Sequence, residues 1–522
     1  MRSQPDSDKR NPGSAFPWRA SEGPILNSFL DARTLPAGTV IQTDLAIIGG
    51  GAAGITLALA LAHTPIRMLM LESGGLAFDD STQALYSGEE AGVHYLKLDG
   101  SRLRYFGGST NHWGGWCRPL DKSDFEKREW LPYSGWPFGR EALEPYIPRA
   151  QQLVEAGEPI YDDAKRLAAD APLNLGKGGL YTTYFQFSKT RGGVLPTHFG
   201  KRYGDDLRRI PNLDLYLHAN VTALELAPDA GSLDRLEVAT LSGNHFTVKP
   251  RYTVLAAGGI ENARILLVSN DVAPRGVGNA NDLVGRFFAD HCIPREVATL
   301  VTFDGNMPAY YTATQSAGGV HFRAALSPTE DFKQQSSVLG SLTTVENEVA
   351  LDDLAKAAVA AAANALGVDA GSARAFSLGT GFELAPDPDR RLTLTGERDA
   401  LGLQRLKLDM RVSNSDFARY RSTLRELGRQ LLAARTGLLR IQHRTRDGWL
   451  SVVDWGNHHM GTTRMHDDPK HGVVNANSQV HGVPNLYIAG SSVFPTYGSS
   501  NPTMNLVALT LRLADHLKMV MT

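Results

Sequence analysis

Gly49-Gly50-Gly51-Ala52-Ala53-Gly54 stands between an apolar run, Thr43-Asp44-Leu45-Ala46-Ile47-Ile48, and an Ala- and Leu-rich stretch from Ile55 to His63. In that setting the Gly-x-Gly-x-x-Gly spacing is the turn of a dinucleotide-binding unit. Gly49 permits the tight turn, Gly51 lets bare backbone approach a pyrophosphate, and Gly54 lets helix and strand pack closely. The exposed N–H groups and positive dipole end of the following helix receive the phosphate charge. Glu72 comes 23 residues after Gly49, at the end of a second strand over Arg67–Leu71. A carboxylate there accepts hydrogen bonds from the adenosine ribose hydroxyls. The spacing alone does not choose between dinucleotides.

The elements that must hold this turn read as a buried parallel strand, a helix and a second strand. Residues 1–40 are a polar lead-in, with ordered structure near its end. The stretch Gly92–Pro119 is rich in Gly, Trp, Ser and Asn and reads as a long ordered loop. A helical piece is expected over Trp136–Glu155, and strands over Leu213–Leu226 and Phe246–Ala256. Helices are expected over Asp352–Leu366 and Ser415–Arg435, with a turn and then a strand within Ala385–Leu403. No internal repeat appears. The punctuated motifs lie at both ends of the chain, which predicts a nucleotide domain of separated segments with a second domain inserted.

Four further segments carry a family resemblance. They are Tyr105-Phe106-Gly107-Gly108-Ser109-Thr110-Asn111-His112-Trp113-Gly114-Gly115, Val254–Asn262 around Ala257-Gly258-Gly259, His458-His459-Met460-Gly461-Thr462-Thr463-Arg464-Met465, and Asn485–Pro495 leading to Asn501-Pro502-Thr503. In order and separation they resemble the glucose-methanol-choline (GMC) oxidoreductases, over roughly residues 40–520. The wording is nearest the pyranose oxidase and bacterial sugar or glycoside dehydrogenase branch.

The resemblance implies an α/β fold (α+β overall), with a Rossmann-like FAD-binding domain of discontinuous segments. The inserted substrate-binding domain would contain an antiparallel sheet and helices. The expected division is 1–40 extension; 41–135, 206–300 and 451–522 for FAD; 136–205 and 301–450 for substrate. FAD contacts would then come from Gly49, Gly51, Ala53, Gly54, Glu72, Gly108, Ser109, Asn111, His112, Val221, Ala257, Gly490, Pro502 and Thr503.

Oxidising an unactivated alcohol removes a proton and a hydride, so a base must stand near the hydroxyl. Imidazole suits that task because its ordinary pKa lies near operating pH. By resemblance His458 is the base and Asn501 its partner; an amide orients the alcohol without titrating. His459 is the neighbour to be distinguished, since adjacent residues of an extended segment face opposite ways and only one is expected at the flavin. His112 sits four residues after Gly108, where related branches attach flavin covalently; a covalent bond and simple contact are the two readings. The activity implied is FAD-dependent oxidation of an alcohol, a secondary hydroxyl of a sugar or glycoside. Alternatives are a non-sugar alcohol (an aminoglycoside or aromatic compound), an FAD-containing lyase, or a flavin-binding partner without turnover. Oxygen, a quinone or a redox partner would take the electrons.

The bulk chemistry excludes several other classes. At 522 residues the chain exceeds one ordinary core, so two domains are expected. Lys+Arg 53 against Asp+Glu 55 gives a formal charge of -2 and no preference for nucleic acid or an anionic membrane. Cys117 and Cys292 are the two cysteines, too few for a disulfide framework and without a CxxC spacing. His466, His471 and His481 lack metal-ligand spacing, so no metal is expected. No apolar run is long enough for a membrane span. The polar start lacks a secretion core, so the cytoplasm is expected, with export on a partner subunit as the alternative. An oligomer is compatible with everything in the sequence.

Overall fold

The computed structural model describes residues 29–168, 170–189 and 196–521. The apolar run is the end of a nine-residue strand, Val40–Ile48, whose last four residues are buried. It pairs in parallel with Met68–Leu71 on one side and with His245–Leu255 on the other. Leu213–Leu217 and then Leu30–Asp31 continue the sheet beyond Met68–Leu71, again in parallel. His245–Leu255 spans two neighbourhoods along its remaining edge. Its first half pairs antiparallel with Leu233–Ala239, which hairpins onto Asn220–Leu226, and its second half pairs in parallel with Leu486–Ile488. Strands from three distant parts of the chain therefore build one eight-stranded sheet.

Burial on both faces explains why these strands read as apolar runs. The helix Ala52–Ala60 is buried at Ala53 and at every later residue through Ala60. It packs against the C-terminal helix Pro502–Met521, whose Met504, Val507, Ala508 and Leu511 join the same core.

A second, antiparallel sheet of ten strands runs in the order Gly437–Ile441, Ala298–Thr302, Arg374–Phe382, Ser341–Val349, Val320–Pro328, Leu180–Phe187 and Trp116–Cys117, with short strands added at the side. This two-sheet architecture is the α/β class with an antiparallel partner that the sequence implies. The antiparallel sheet also takes Trp116–Cys117 and Cys292–Pro294 from stretches that the expected division gives to the FAD-binding segments. A third, small sheet has no counterpart in the sequence expectations. Arg391–Arg398 and Gln404–Met410 form a hairpin that Glu89–Gly92 joins in parallel.

Most expected elements appear within a few residues, among them the helices Asp353–Leu366 and Asn414–Ala433. Trp136–Glu155 differs. It breaks into two short 3-10 turns before a regular helix starts at Ile147. Pro145 and Pro148 lie at the starts of successive pieces, the position where proline's missing N–H costs least. Cys117 and Cys292 are both buried and free. No described helix is long and apolar enough to cross a membrane.

Candidate active site

One cleft gathers nearly all the residues singled out in the sequence. Its wall includes Gly49, Gly51, Ala53, Glu72, Gly108, Ser109, His112, Val221, Ala257, Gly490, His458, Asn501, Pro502 and Thr503. Gly54 and Asn111 stand outside that wall. Gly54 lies behind the turn, where an added Cβ would collide with the Gly49 carbonyl; it sets the approach of helix to strand. Asn111 turns away and donates from Nδ2 to the Phe106 carbonyl at 3.0 Å, so it shapes the loop from behind.

The turn fits a phosphate by what it leaves open. Gly49 adopts φ +109, and a Cβ there would meet the Ala256 carbonyl oxygen at 2.7 Å. Gly51 precedes the helix Ala52–Ala60 without any side-chain cap bond. Its missing Cβ would find only Gly108 Cα, at 3.9 Å. The first-turn N–H groups therefore face the cleft without a capping side chain, the arrangement that binds anions. Glu72 closes the adjoining end. Its two carboxylate oxygens accept the Gly50 and Gly74 N–H groups, each at 2.8 Å. Burial raises its pKa against those bonds. Oε1 also accepts the Ser73 hydroxyl, at 3.4 Å, while Oε2 keeps a second lone pair, so the carboxylate still has capacity for a ribose hydroxyl.

Behind this end lies a buried charge cluster that sequence reasoning missed. Glu261 accepts from Arg104 at 2.9 Å, Arg102 at 3.3 Å and Arg264 at 3.4 Å. Arg264 also binds Asp399 at 2.7 Å. Burial raises the Glu261 pKa, but Arg104, Arg264 and Arg102 outweigh it and hold the group at about 2. Arg102 and Arg104 belong to the loop expected over Gly92–Pro119. The cluster ties that loop to the helix Gly258–Val268.

At the other end, His458 Nε2 lies 3.1 Å from Asn501 Nδ2. Its Nδ1 lies 2.9 Å from Nδ1 of His291. Burial, then His291 and His459, lower the His458 pKa well below that of free imidazole. The side chain is therefore neutral at ordinary pH. The match of imidazole to operating pH, the reason sequence supplies for choosing histidine, is thus shifted by the surroundings.

His459 also lines the cleft. Hydrogen bonding separates the pair. His459 Nε2 is buried without a protein partner, while its carbonyl takes the Ser491 hydroxyl at 2.7 Å. Only His458 meets an amide. His112 lies on the same wall, its pKa lowered by burial and then by His198. Among the described residues no cluster of His, Cys, Asp and Glu could hold a metal ion.

Residues 386–510 match the family described as GMC oxidoreductase. The chain is 24% identical to 2-methyl-1,2-propanediol dehydrogenase of Mycolicibacterium austroafricanum, over 91% of this chain and 95% of that protein. It is 25% identical to C-glycoside 3-oxidase of Microbacterium trichothecenolyticum, over 79% and 74% of the two chains. The solved structure of pyridoxine 4-oxidase from Mesorbium loti superposes with a TM-score of 0.56 at 19% identity, covering 91% of this chain and 99% of that one.

Proposed function

We propose that this chain is a GMC oxidoreductase, the family that its residues 386–510 match, and that it oxidises an alcohol carbon to the carbonyl with FAD held in the cleft. The observation that carries the reading is the 3.1 Å pairing of His458 with Asn501 on the same wall as the glycine turn. The residues fit the cofactor: uncapped N–H groups for the pyrophosphate, Glu72 for the adenosine ribose, and the loop at Gly108 and Ser109 facing Gly51. Bound FAD supplies the acceptor for the hydride. On binding, the alcohol hydroxyl takes the place of the Asn501 N–H on the single lone pair of His458 Nε2, which accepts its proton, while Asn501 Nδ2 donates to the alcohol oxygen and fixes its direction. Because Asn501 does not titrate, the proton has one destination.

For the substrate we infer a secondary hydroxyl of a sugar or glycoside. The similarity to a C-glycoside 3-oxidase supports this, and the similarity to a diol dehydrogenase keeps smaller alcohols in the test panel. One of those relatives is named an oxidase and the other a dehydrogenase, so the acceptor is part of the test. The purified yellow protein is mixed anaerobically with sugars, glycosides and small diols, then reoxidised with oxygen or quinone. Bleaching by a sugar or glycoside supports the reading. Colour that persists with every alcohol while product forms replaces it with a lyase.

Two expectations concern cofactor retention. Glu72→Ala should purify with much less FAD than the parent, since both turn N–H groups and the ribose lose their acceptor; a fully loaded variant removes that contact. For His112, precipitation in acid separates linkage from contact. Colour kept in the parent pellet and lost from His112→Ala means a covalent bond; free flavin in the parent supernatant means contact alone.

A further inference from the structure

The His458 ring has a second nitrogen, and its partner carries information that the alcohol chemistry needs. His291 is 3% exposed and bridges two groups. Its Nε2 lies 2.9 Å from the Gly498 carbonyl oxygen, and its Nδ1 lies 2.9 Å from His458 Nδ1. The two rings are perpendicular, at 87°, with centroids 5.0 Å apart. That separation is close to the bond plus two ring radii, so the nitrogens meet nearly in line.

A carbonyl oxygen only accepts, so Nε2 of His291 carries the proton. Burial lowers the His291 pKa to about 4, so the neutral ring holds only that one. Its Nδ1 is therefore a bare acceptor, and the proton between the two Nδ1 atoms belongs to His458. A neutral His458 with hydrogen on Nδ1 has a lone pair on Nε2. That is the atom facing Asn501, whose Nδ2 can only donate.

We propose that His291 is a positioning residue that fixes His458 in the tautomer with its basic nitrogen in the cleft. The inference rests on His458 being the base. Hydrogen bonds then run in one direction, from Asn501 to His458 Nε2, from His458 to His291, and from His291 to the Gly498 carbonyl. The backbone is braced as well. Asp290 Oδ1 accepts the His458 N–H at 2.9 Å, and its Oδ2 accepts the Tyr95 hydroxyl at 2.6 Å. Gly498 has φ +53, and a Cβ there would collide with the Asp124 carboxylate. The carbonyl that orients His291 thus sits three residues before Asn501, on one constrained loop. When Nε2 gains the substrate proton, Nδ1 keeps its own and still donates to His291. The positive charge stays on His458, because the chain ends at a carbonyl that takes no proton.

The test uses the FAD-loaded protein and an alcohol that bleaches the parent. His291→Phe should keep the cofactor and bind the alcohol normally, while flavin reduction falls about 10–100-fold, by analogy with the loss of a partner that orients a metal-bound histidine. His291→Asn, whose amide oxygen can stand where Nδ1 stood, should recover much of the rate. Should His291→Phe fail to fold, His291→Ala carries the same expectation. Nitrogen-15 spectra of histidine-labelled protein without substrate give a readout independent of turnover. The parent should show the His458 proton on Nδ1, and His291→Phe should populate the other tautomer. A His291→Phe rate close to the parent's, or a parent His458 protonated on Nε2, overturns the inference. If His458→Ala is slow in those same experiments, the base assignment survives alone; if His458→Ala is as fast as the parent, both fall together.

Discussion

Flavin reduction by substrate is expected to slow about 10²–10⁴-fold in His458→Ala, with FAD still bound. The size follows from what alanine removes. His458 Nε2 is the basic atom paired with Asn501 at 3.1 Å. The neighbouring His459 has its Nε2 buried without a protein partner and a pKa that burial, then Arg102 and His112, depress to about 3. No amide stands beside that nitrogen to direct an alcohol onto it, as Asn501 does at His458, so it is not placed to substitute. The cofactor should stay, because the phosphate turn and Glu72 lie at the other end of the cleft. The pH profile supplies a second check. The active form is neutral His458, and its folded pKa is lowered from 6.5. The His458 limb of the parent's profile should therefore lie on the acid side, below the ordinary imidazole value, while Asp290, which burial pushes up to about 7 and which accepts the His458 N–H, is the neighbour that titrates near neutrality. Stopped-flow bleaching across pH measures both. A variant reducing flavin within about twofold of the parent would remove His458 from its role.

Local and non-local information separate clearly in this chain. The glycine turn was legible because its requirements are local: a tight φ, an uncapped helix start and a buried strand on each side. The helix Asp353–Leu366 was legible for a similar reason. Asp352 caps it by accepting the Ala355 N–H, and Gly367 ends it at φ +65. His291 was not legible. It meets His458 because Cys292–Pro294 pairs antiparallel with Val453–Trp455, with Cys292 opposite Trp455 and Ile293 opposite Asp454. That register sets the two histidines side by side across 167 residues of sequence, and nothing in either segment alone announces it. The same holds for Arg102 and Arg104, which read as loop residues until the fold brings Glu261 beneath them. The depressed pKa of His458 is likewise a property of its surroundings. What sequence carried was the identity of the reacting groups; what it lacked was the partners that set their protonation.

Glu261→Gln is expected to lower stability by about 3–5 kcal/mol, the usual cost of removing one partner from a buried ion pair. The substitution keeps the shape and deletes the charge. Arg264 retains Asp399 at 2.7 Å, but Arg102 and Arg104, only 6% and 7% exposed, lose the carboxylate that faces both of them. Their remaining acceptors are neutral: the Leu98 and Tyr86 carbonyls for Arg102 and the Asn220 side chain for Arg104. Two guanidiniums would then be buried with no carboxylate bonded to them, only the more distant charge of Glu72 acting on Arg104, and the loop that carries them lines the cofactor cleft. The sign with pH follows from the lowered pKa. Glu261 falls from 4.5 to about 2 on folding, so its contribution is full above 4.5 and disappears as pH drops through about 2. The parent should therefore lose stability over that acid window more steeply than the variant, and their denaturation midpoints should converge at its lower end. An exposed pair provides the contrast. Arg166 and Glu158 are 2.6 Å apart, shorter than any arm of the cluster, yet Glu158→Gln should leave the midpoint unchanged because water already solvates both groups. Urea titrations of the three proteins at neutral and acid pH decide the matter. Equal midpoints for the parent and Glu261→Gln at neutral pH would mean that the cluster's arginines are solvated well enough without their carboxylate.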